Sequence, residues 1–363
     1  MFSIPVCAGC GKLIFKDYIQ ALDRYWHPEC FCCSACGEPI QDDFNTHHGH
    51  FYHPGCYQKK FAPVCAGCGQ VILDHYISAM DKKWHPEHFT CAHCGLMIEA
   101  KTFYIHDSKP YCQQDYLALF TKKCAICMQN LTGEYSIDLW GNSYCTHHKH
   151  ELPTCTTCSR LICDTITQGG MQYRDGRHVC NLCRKTAVDQ PSLARSIYRD
   201  VSKFVAEFGL EIPQILSLKL VDQNELKRSA KKSHLENTMG VTRTCVTTQN
   251  GRESGREAEI LILHGLPHDL FAATVAHELG HSWLFLNRYP QLKPVVEEGF
   301  CELLSYLWLS RQKTPEADIR LQAMRKNRDL VYGRGYRAAL RAYKKYPFTE
   351  LTQFILQNQR FPV

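Results

Sequence analysis

The sequence lacks any long hydrophobic run. No stretch approaches the roughly eighteen apolar residues that a membrane-spanning helix requires, and the segment before Cys7 is too short for a secretory signal peptide. Strong charge of one sign is also missing, because the net charge is only +6 over 363 residues, which is modest for a nucleic-acid-binding protein. We therefore expect an intracellular, cytoplasmic protein of two or three domains.

Cysteine, by contrast, is abundant, with 22 residues. Disulfides are rare inside cells, so metal ligation is the better explanation of so many thiols. The pair Cys7-x2-Cys10 returns at Cys65 and again at Cys124, at offsets of 58 and 59 residues. A period this regular indicates an array of similar modules.

The first two modules, residues 5–61 and 63–120, each offer two sets of four zinc ligands. His88 and Asp115 replace Cys30 and Cys56 of the first module, and both retain a metal-binding side chain. The sets are Cys7, Cys10, His27 and Cys30; Cys33, Cys36, His53 and Cys56; Cys65, Cys68, His85 and His88; and Cys91, Cys94, Cys112 and Asp115. These modules resemble LIM domains, which implies that they bind proteins.

The third module, residues 122–186, departs from this pattern and is LIM-like. Six residues separate His148 from Cys155, where the first two modules have two residues between sets. His147 or His150 could replace His148 as a ligand. The two sets are Cys124, Cys127, Cys145 and His148, and then Cys155, Cys158, Cys180 and Cys183.

Together the three modules supply 24 ligands for six structural zinc ions (Zn2+). Each half-module is about thirty residues long and cannot bury a sufficient core alone, so metal binding must provide the missing folding energy. The remaining cysteines are expected to be small buried side chains. They are Cys32, Cys163, Cys245 and Cys301.

A different metal motif lies near the C-terminus. His277 and His281 are four residues apart and therefore share one face of a helix. The flanking sequence is largely apolar, which predicts a buried helix. Glu298, on a second predicted helix over Pro294–Arg311, can be the third ligand and leaves one position open for water, as a catalytic zinc requires.

Two further glutamates have predicted roles around this seventh zinc. Glu278 is not needed as a ligand and can act as general base. Glu302 follows Glu298 by one helical turn and could accept a hydrogen bond from a ligand imidazole.

The C-terminal domain, residues 190–363, is predicted to mix helices with a small sheet, so the expected fold class is α+β multidomain. We predict a helix over Pro191–Phe208, strands over Ile215–Val221, Val241–Thr248 and Glu259–His264, and mostly helix after Arg311. We also expect the strand at 259–264 to keep one backbone edge free, to which an extended substrate could add.

The order of strand, zinc helix and glutamate helix resembles the gluzincin metallopeptidases, and Glu297-Glu-Gly-Phe resembles their signature around the third ligand. The full combination is more specific. LIM modules, HExxH, Val331-Tyr-Gly-Arg-Gly-Tyr-Arg-Ala and a closing Arg360-Phe-Pro-Val resemble the plant ubiquitin-activated LIM peptidases that limit organ growth.

This resemblance implies a hydrolase, a zinc metalloprotease that cleaves protein substrates. It makes Tyr332 the candidate donor to the oxyanion, since Tyr332 lies in the matching segment. It also implies protein partners for the LIM modules. Ubiquitin is a further partner, although the family's ubiquitin-interacting helices have no counterpart ahead of Cys7.

The main alternative is a non-enzymatic LIM scaffold with a vestigial peptidase domain. The intact Glu278 argues against it, because a scaffold has no need of a general base. Nucleic-acid binding is disfavoured, since the spacing lacks the roughly twelve-residue gap of DNA-reading zinc fingers.

Overall fold

The computed structural model describes residues 4–99, 101–212, 216–229 and 238–362. The chain divides into two compact units, one up to Thr121 and one from Lys122 onward. Both combine helices with small sheets, so the predicted α+β multidomain class is confirmed. No helix in the described ranges is long and apolar enough to cross a membrane.

The N-terminal unit contains two copies of one small module. Each copy has two antiparallel hairpins followed by a closing helix, and its apolar core is a small cluster around Phe31 or Phe89. The first copy contains β1 (Ile19–Ala21), β2 (Arg24–Trp26), β3 (Asn45–His47), β4 (His50–Tyr52) and α1 (Pro54–Phe61). The second contains β5 (Ile77–Ala79), β6 (Lys82–Trp84), β7 (Tyr104–His106), β8 (Lys109–Tyr111) and α2 (Gln113–Phe120).

The C-terminal unit begins with the third cysteine-rich module. Its two hairpins are β9–β10 and β11–β12. The elements are β9 (Tyr135–Ile137), β10 (Ser143–Cys145), α3 (His148–Glu151), α4 (Asp164–Thr167), β11 (Gly170–Gln172), β12 (His178–Cys180), α5 (Asn181–Arg184) and β13 (Ala187–Val188).

The remainder of this unit is a helical domain built around a three-stranded sheet. The elements are α6 (Pro191–Ala206), β14 (Ser217–Val221), α7 (Gln223–Ser229), β15 (Gly240–Gln249), β16 (Arg252–Leu263), β17 (Leu266–Pro267), α8 (His268–Leu286), α9 (Pro294–Arg311), α10 (Pro315–Lys326), α11 (Tyr332–Tyr343) and α12 (Phe348–Asn358). The zinc-motif helix α8 is apolar on most of its surface and packs against α6, α9 and the sheet.

The sheet order is β14-β16-β15, with β14 parallel and β15 antiparallel to the central strand. The prediction that the strand before the zinc helix keeps a free edge is therefore wrong. Leu261, in the middle of β16, pairs with Lys219 on one side and Val241 on the other. The physical reason lies in the run 260–263, which is almost fully buried, and a strand buried on both faces is typical of a sheet interior.

Strand β16 also begins earlier than predicted, at Arg252 instead of Glu259. It forms a long hairpin with β15 through Asn250 and Gly251, whose φ angles are 52° and 70°. Asn-Gly is the usual sequence for a two-residue turn with positive φ, so this dipeptide is the signal that could have predicted the hairpin. The predicted strand Ile215–Val221 corresponds to β14, which is observed over Ser217–Val221. Its first predicted residue, Ile215, lies outside the described residues.

The four cysteines outside the ligand sets differ in how deeply they are buried. Cys301 is buried, as predicted, whereas Cys245 is exposed on β15. Cys32 and Cys163 are only half-buried. The prediction of buried side chains is therefore wrong for these three, because each lies in a short loop or on the exposed part of the β15–β16 hairpin.

The third module is joined to the helical domain by strand pairing and by a buried ion pair. Strand β13 pairs with β17, which directly precedes α8. Arg177 of the module lies 2.8 Å from Asp175, and both side chains are almost fully buried. The Arg177 Nη1 atom donates to the backbone oxygen of His264, at 3.0 Å, and Asp175 accepts from the backbone N–H of Gln223, also at 3.0 Å.

We expect Arg177→Met to destabilise the C-terminal unit by about 3–5 kcal/mol, because it leaves the buried carboxylate of Asp175 without its partner. Urea unfolding of the full zinc-loaded chain, followed by the helical circular-dichroism signal, measures this. Arg174→Met is the matched control, since Arg174 is exposed in the same module. A loss of unfolding free energy no larger than that of the control would show that Arg177 does not stabilise the junction between the third module and the helical domain.

Candidate active site and metal centres

Helices α8 and α9 pack closely because α8 has a glycine at their contact. A Cβ atom at Gly280 would lie only 2.9 Å from the Cys301 Sγ atom and 3.1 Å from a methyl of Leu304. The two helices therefore approach more closely than any larger residue would permit. This approach brings the polar side chains of α9 to those of the zinc motif.

Three predicted ligand atoms converge between these helices. His277 Nε2 lies 3.2 Å from Glu298 Oε2 and 3.3 Å from His281 Nε2, and His281 Nε2 lies 3.6 Å from Glu298 Oε2. Two ligands of a tetrahedral zinc, each bonded at 2.0–2.1 Å, are about 3.3 Å apart. The three atoms therefore fit one zinc ion with a fourth position left over.

Each imidazole has a carboxylate at its other nitrogen. His277 Nδ1 lies 3.5 Å from Glu302 Oε1, consistent with the acceptor role predicted for Glu302. His281 Nδ1 lies 2.9 Å from Glu297 Oε1. Such contacts select the tautomer that offers Nε2 to a metal. The contact of Glu297 was not predicted from the sequence, although Glu297 and Glu298 are consecutive in the chain.

The ionisable groups at this site are largely buried, and the pKa values of His277 and Glu298 shift in opposite directions. Burial alone would lower the pKa of His277, but its hydrogen bond to Glu298 and the charge of Glu302 raise it overall. Burial opposes ionisation of Glu298, yet hydrogen bonds with His277 and His281 hold its pKa well below the usual range. A buried group of carboxylates around two imidazoles requires compensating positive charge, which a divalent cation provides.

Glu278 is separate from this ligand cluster. Its side chain is turned toward β15, where Oε2 lies 2.7 Å from the hydroxyl of Thr242. The residue is only 4% exposed. The Glu278 carboxylate therefore lies beside the ligand cluster of His277, His281 and Glu298 without belonging to it. Thr242 was not identified by the sequence analysis, because nothing in an isolated threonine points to this contact.

Tyr332 is the first residue of α11, which packs against α9 by direct backbone contact. A Cβ atom on Gly299 would lie 2.6 Å from the carbonyl of Gly335, and one on Gly335 would lie 2.4 Å from the carbonyl of Val295. Burial raises the pKa of Tyr332, and the charge of Glu298 raises it further. The hydroxyl is therefore protonated and able to donate a hydrogen bond.

In the N-terminal unit the predicted ligands also lie at zinc-compatible separations. In three sets, the ligand atoms of the four residues all lie within 4.8 Å of one another. These sets are Cys7, Cys10, His27 and Cys30; Cys33, Cys36, His53 and Cys56; and Cys65, Cys68, His85 and His88. In the fourth set, Asp115 Oδ2 lies 3.1 Å from Cys91 Sγ and 3.3 Å from Cys112 Sγ. Hydrogen bonds from Cys94 and Cys91 lower the pKa of Asp115 to about 2, so it is a carboxylate, the form that binds metal.

In the third module, the structure groups His148 with three cysteines. Cys124, Cys127 and Cys145 are its neighbours, whereas His147 and His150 are exposed. The Nε2 atom of His148 is buried and has no hydrogen-bond partner among the described residues. A buried nitrogen without a partner is costly unless a ligand occupies it, and zinc held by these four residues would do so.

The second set of this module is fully buried, unlike the sets of the N-terminal unit, in each of which at least one ligand is exposed. The Sγ atoms of Cys158 and Cys180 are 3.7 Å apart, and those of Cys155 and Cys183 are 3.9 Å apart. Two thiolates bonded to a tetrahedral zinc at about 2.3 Å would be about 3.8 Å apart. The four sulfurs therefore match one zinc ion.

We expect Gly335→Ala to destabilise the C-terminal unit by about 1–3 kcal/mol or more, because the new methyl group would meet the backbone of α9, which cannot give way as a side chain would. Thermal unfolding of the full chain tests this. Gly133→Ala is the control, since a Cβ atom there meets nothing within 4 Å. Equal melting temperatures for the two variants would show that the glycine contact is not required.

Comparison with known proteins agrees with this arrangement. The LIM domain family model matches residues 7–61 and 65–120, and a DA1-like model described as Protein DA1 matches residues 211–327. The latter range includes the zinc motif and Glu298 but ends before Tyr332. The third module lies outside both LIM matches, consistent with its divergent spacing.

Several curated plant proteins are similar over most of the chain. LIM domain-containing protein HDR3 of Oryza sativa subsp. japonica is 27% identical, covering 83% of this chain and 74% of the relative. Protein DA1 of Arabidopsis thaliana is 26% identical, covering 83% and 68%. Protein DA1-related 2 of Arabidopsis thaliana is 31% identical, covering 69% and 54%. The chain thus combines LIM domains with a DA1-like domain, and it belongs to the family of LIM proteins that these DA1 proteins represent.

Proposed function

We propose that the chain is a zinc-dependent endopeptidase that cleaves protein substrates. The observation that carries this proposal is the arrangement around α8. Two imidazoles and Glu298 converge at distances suited to one zinc ion, while Glu278 lies beside them and outside the ligand set. Three protein ligands with an adjacent free carboxylate are typical of hydrolytic zinc sites and not of structural ones.

The proposed reaction is hydrolysis of a peptide bond. Zinc, when bound, supplies Lewis acidity and lowers the pKa of a water molecule at its open position. Glu278 accepts a proton from the attacking water as the carbon–oxygen bond forms. It then returns that proton to the nitrogen of the scissile bond, so that the amine can leave when the carbon–nitrogen bond breaks.

Tyr332 is the proposed donor to the oxyanion that develops on the scissile carbonyl. Burial raises the pKa of Tyr332, and the charges of Glu298, Glu302 and Glu278 raise it further. Its raised pKa keeps the proton available, and a fixed donor aimed at developing charge lowers the barrier.

The substrate is proposed to lie along β15 and not along β16, whose two edges are paired. Among the described residues, the second edge of β15 has no strand partner. Main-chain hydrogen bonds to such an edge hold an extended peptide with little demand on its sequence. Near the start of this strand, Thr242 contacts Glu278, and Gly240 leaves room for the Glu278 carboxylate, so a peptide there would approach the base.

A non-enzymatic LIM scaffold is the alternative function. It accounts for the zinc modules, which we propose recruit protein substrates or partners, ubiquitin included. It does not account for the carboxylate of Glu278, which is buried and makes no contribution to the ligand set. Burial of such a group has a free-energy cost that a docking surface has no reason to retain.

We expect Glu278→Gln to abolish cleavage while the catalytic zinc remains bound, because the substitution removes the base but none of the ligands. Incubation with a denatured protein mixture, followed by terminal-peptide mass spectrometry, compares native chain with the variant. New termini in the native sample alone would support the proposal. Comparable cleavage by both, or none by native chain, would refute it.

We expect elemental analysis of gently purified chain to give seven zinc ions, six structural and one catalytic. Glu298→Ala should lose one of the seven together with all activity, because two imidazoles alone hold zinc weakly. Glu278→Gln should retain seven. Two or fewer zinc ions in the native chain would refute the module assignments, and an unchanged count in Glu298→Ala would refute the catalytic ligand set.

A further inference from the structure

We infer that Thr242 is a positioning residue, which holds the general base Glu278 in place from the neighbouring strand. This inference rests on the proposed peptidase function and deepens it. The site residues predicted from the sequence all lie on helices α8, α9 and α11. Thr242 adds a contribution from the sheet, on the outer strand that is proposed to bind substrate.

Strand β15 approaches α8 closely enough to contact the side chain of Glu278. Gly240 and Thr242 are two residues apart on a strand and therefore face the same side. A Cβ atom on Gly240 would lie 2.7 Å from Glu278 Oε1 and 2.7 Å from Thr274 Cγ2. The absence of a side chain at 240 thus makes room for the carboxylate against the strand backbone.

The Thr242 hydroxyl has a single proton and two oxygen atoms of Glu278 within hydrogen-bond distance. The hydroxyl oxygen lies 2.7 Å from Glu278 Oε2 and 3.0 Å from the Glu278 carbonyl oxygen. Ser282 already donates to that carbonyl oxygen at 2.9 Å. The shorter contact is also to the charged acceptor, and charge-assisted hydrogen bonds are the stronger ones. We therefore assign the Thr242 proton to the carboxylate.

This hydrogen bond keeps the carboxylate of Glu278 away from the three ligand side chains. Glu278 follows His277 in the chain, and a free carboxylate beside a bound cation would be drawn into its coordination sphere. The hydrogen bond from Thr242 holds Oε2 on the strand side of α8. The base is thereby kept beside the three ligand side chains without joining them, as its role would require.

The test compares Thr242→Val, Thr242→Ser and the control Thr349→Val in the full zinc-loaded chain. Valine matches threonine in shape but cannot donate a hydrogen bond, whereas serine retains the hydroxyl. Thr349 is an exposed threonine on α12, outside the proposed site and the proposed substrate-binding strand. We expect kcat to fall about ten- to a hundred-fold in Thr242→Val. KM and zinc content should hardly change, and both Thr242→Ser and Thr349→Val should remain near native activity.

A stability measurement separates this inference from a general effect on folding. Thr242→Val should lower the melting temperature of the native chain, but not that of a Glu278→Ala variant, in which the acceptor is already absent. An equal decrease in both backgrounds would overturn the inference, and so would a native kcat in Thr242→Val. Failure of the native chain to cleave any substrate would instead overturn the proposed function, and this inference with it.

Discussion

The close approach of three helices is the constraint on which the candidate site depends. Gly280 lets α9 come near α8, and Gly299 with Gly335 lets α11 touch the backbone of α9. At such separations the two imidazoles of α8 meet the Glu298 carboxylate of α9 at 3.2–3.6 Å. The glycines that flank the acidic and tyrosine motifs are therefore as much a part of the site as its polar residues.

The close packing of the helices brings several carboxylates together, and a bound cation would balance their negative charge. Glu297, Glu298 and Glu302 surround two imidazoles in a largely buried space. Without a cation, protons on the imidazoles would balance this charge. For His277, the hydrogen bond to Glu298 and the charge of Glu302 raise the pKa although burial alone would lower it. A metal ion would replace those protons. The same carboxylates that orient the ligands therefore also favour a doubly charged ion over a neutral occupant.

The local features of this chain could be predicted from sequence, whereas its long-range pairings could not. Ligand spacing and the apolar periodicity around His277 are local, and the helix over Pro294–Arg311 was predicted with its observed bounds. Strand order depends on which segments meet after folding, so the pairing of β16 on both edges was missed. The contacts of Thr242 and Arg177 join residues 36 and 87 positions apart, and no local pattern records them.

The attachment of the third module has a consequence for the exchange of parts between proteins. The first two modules end at Thr121, where the compact N-terminal unit ends. The third shares a strand pair and the buried Arg177 with the segment leading into α8. Recombination at Thr121 would transfer whole folding units. A crossover near Val188 would separate residues that pack together in this unit. The third module and the zinc helix must therefore be inherited together, or a change in one requires a matching change in the other.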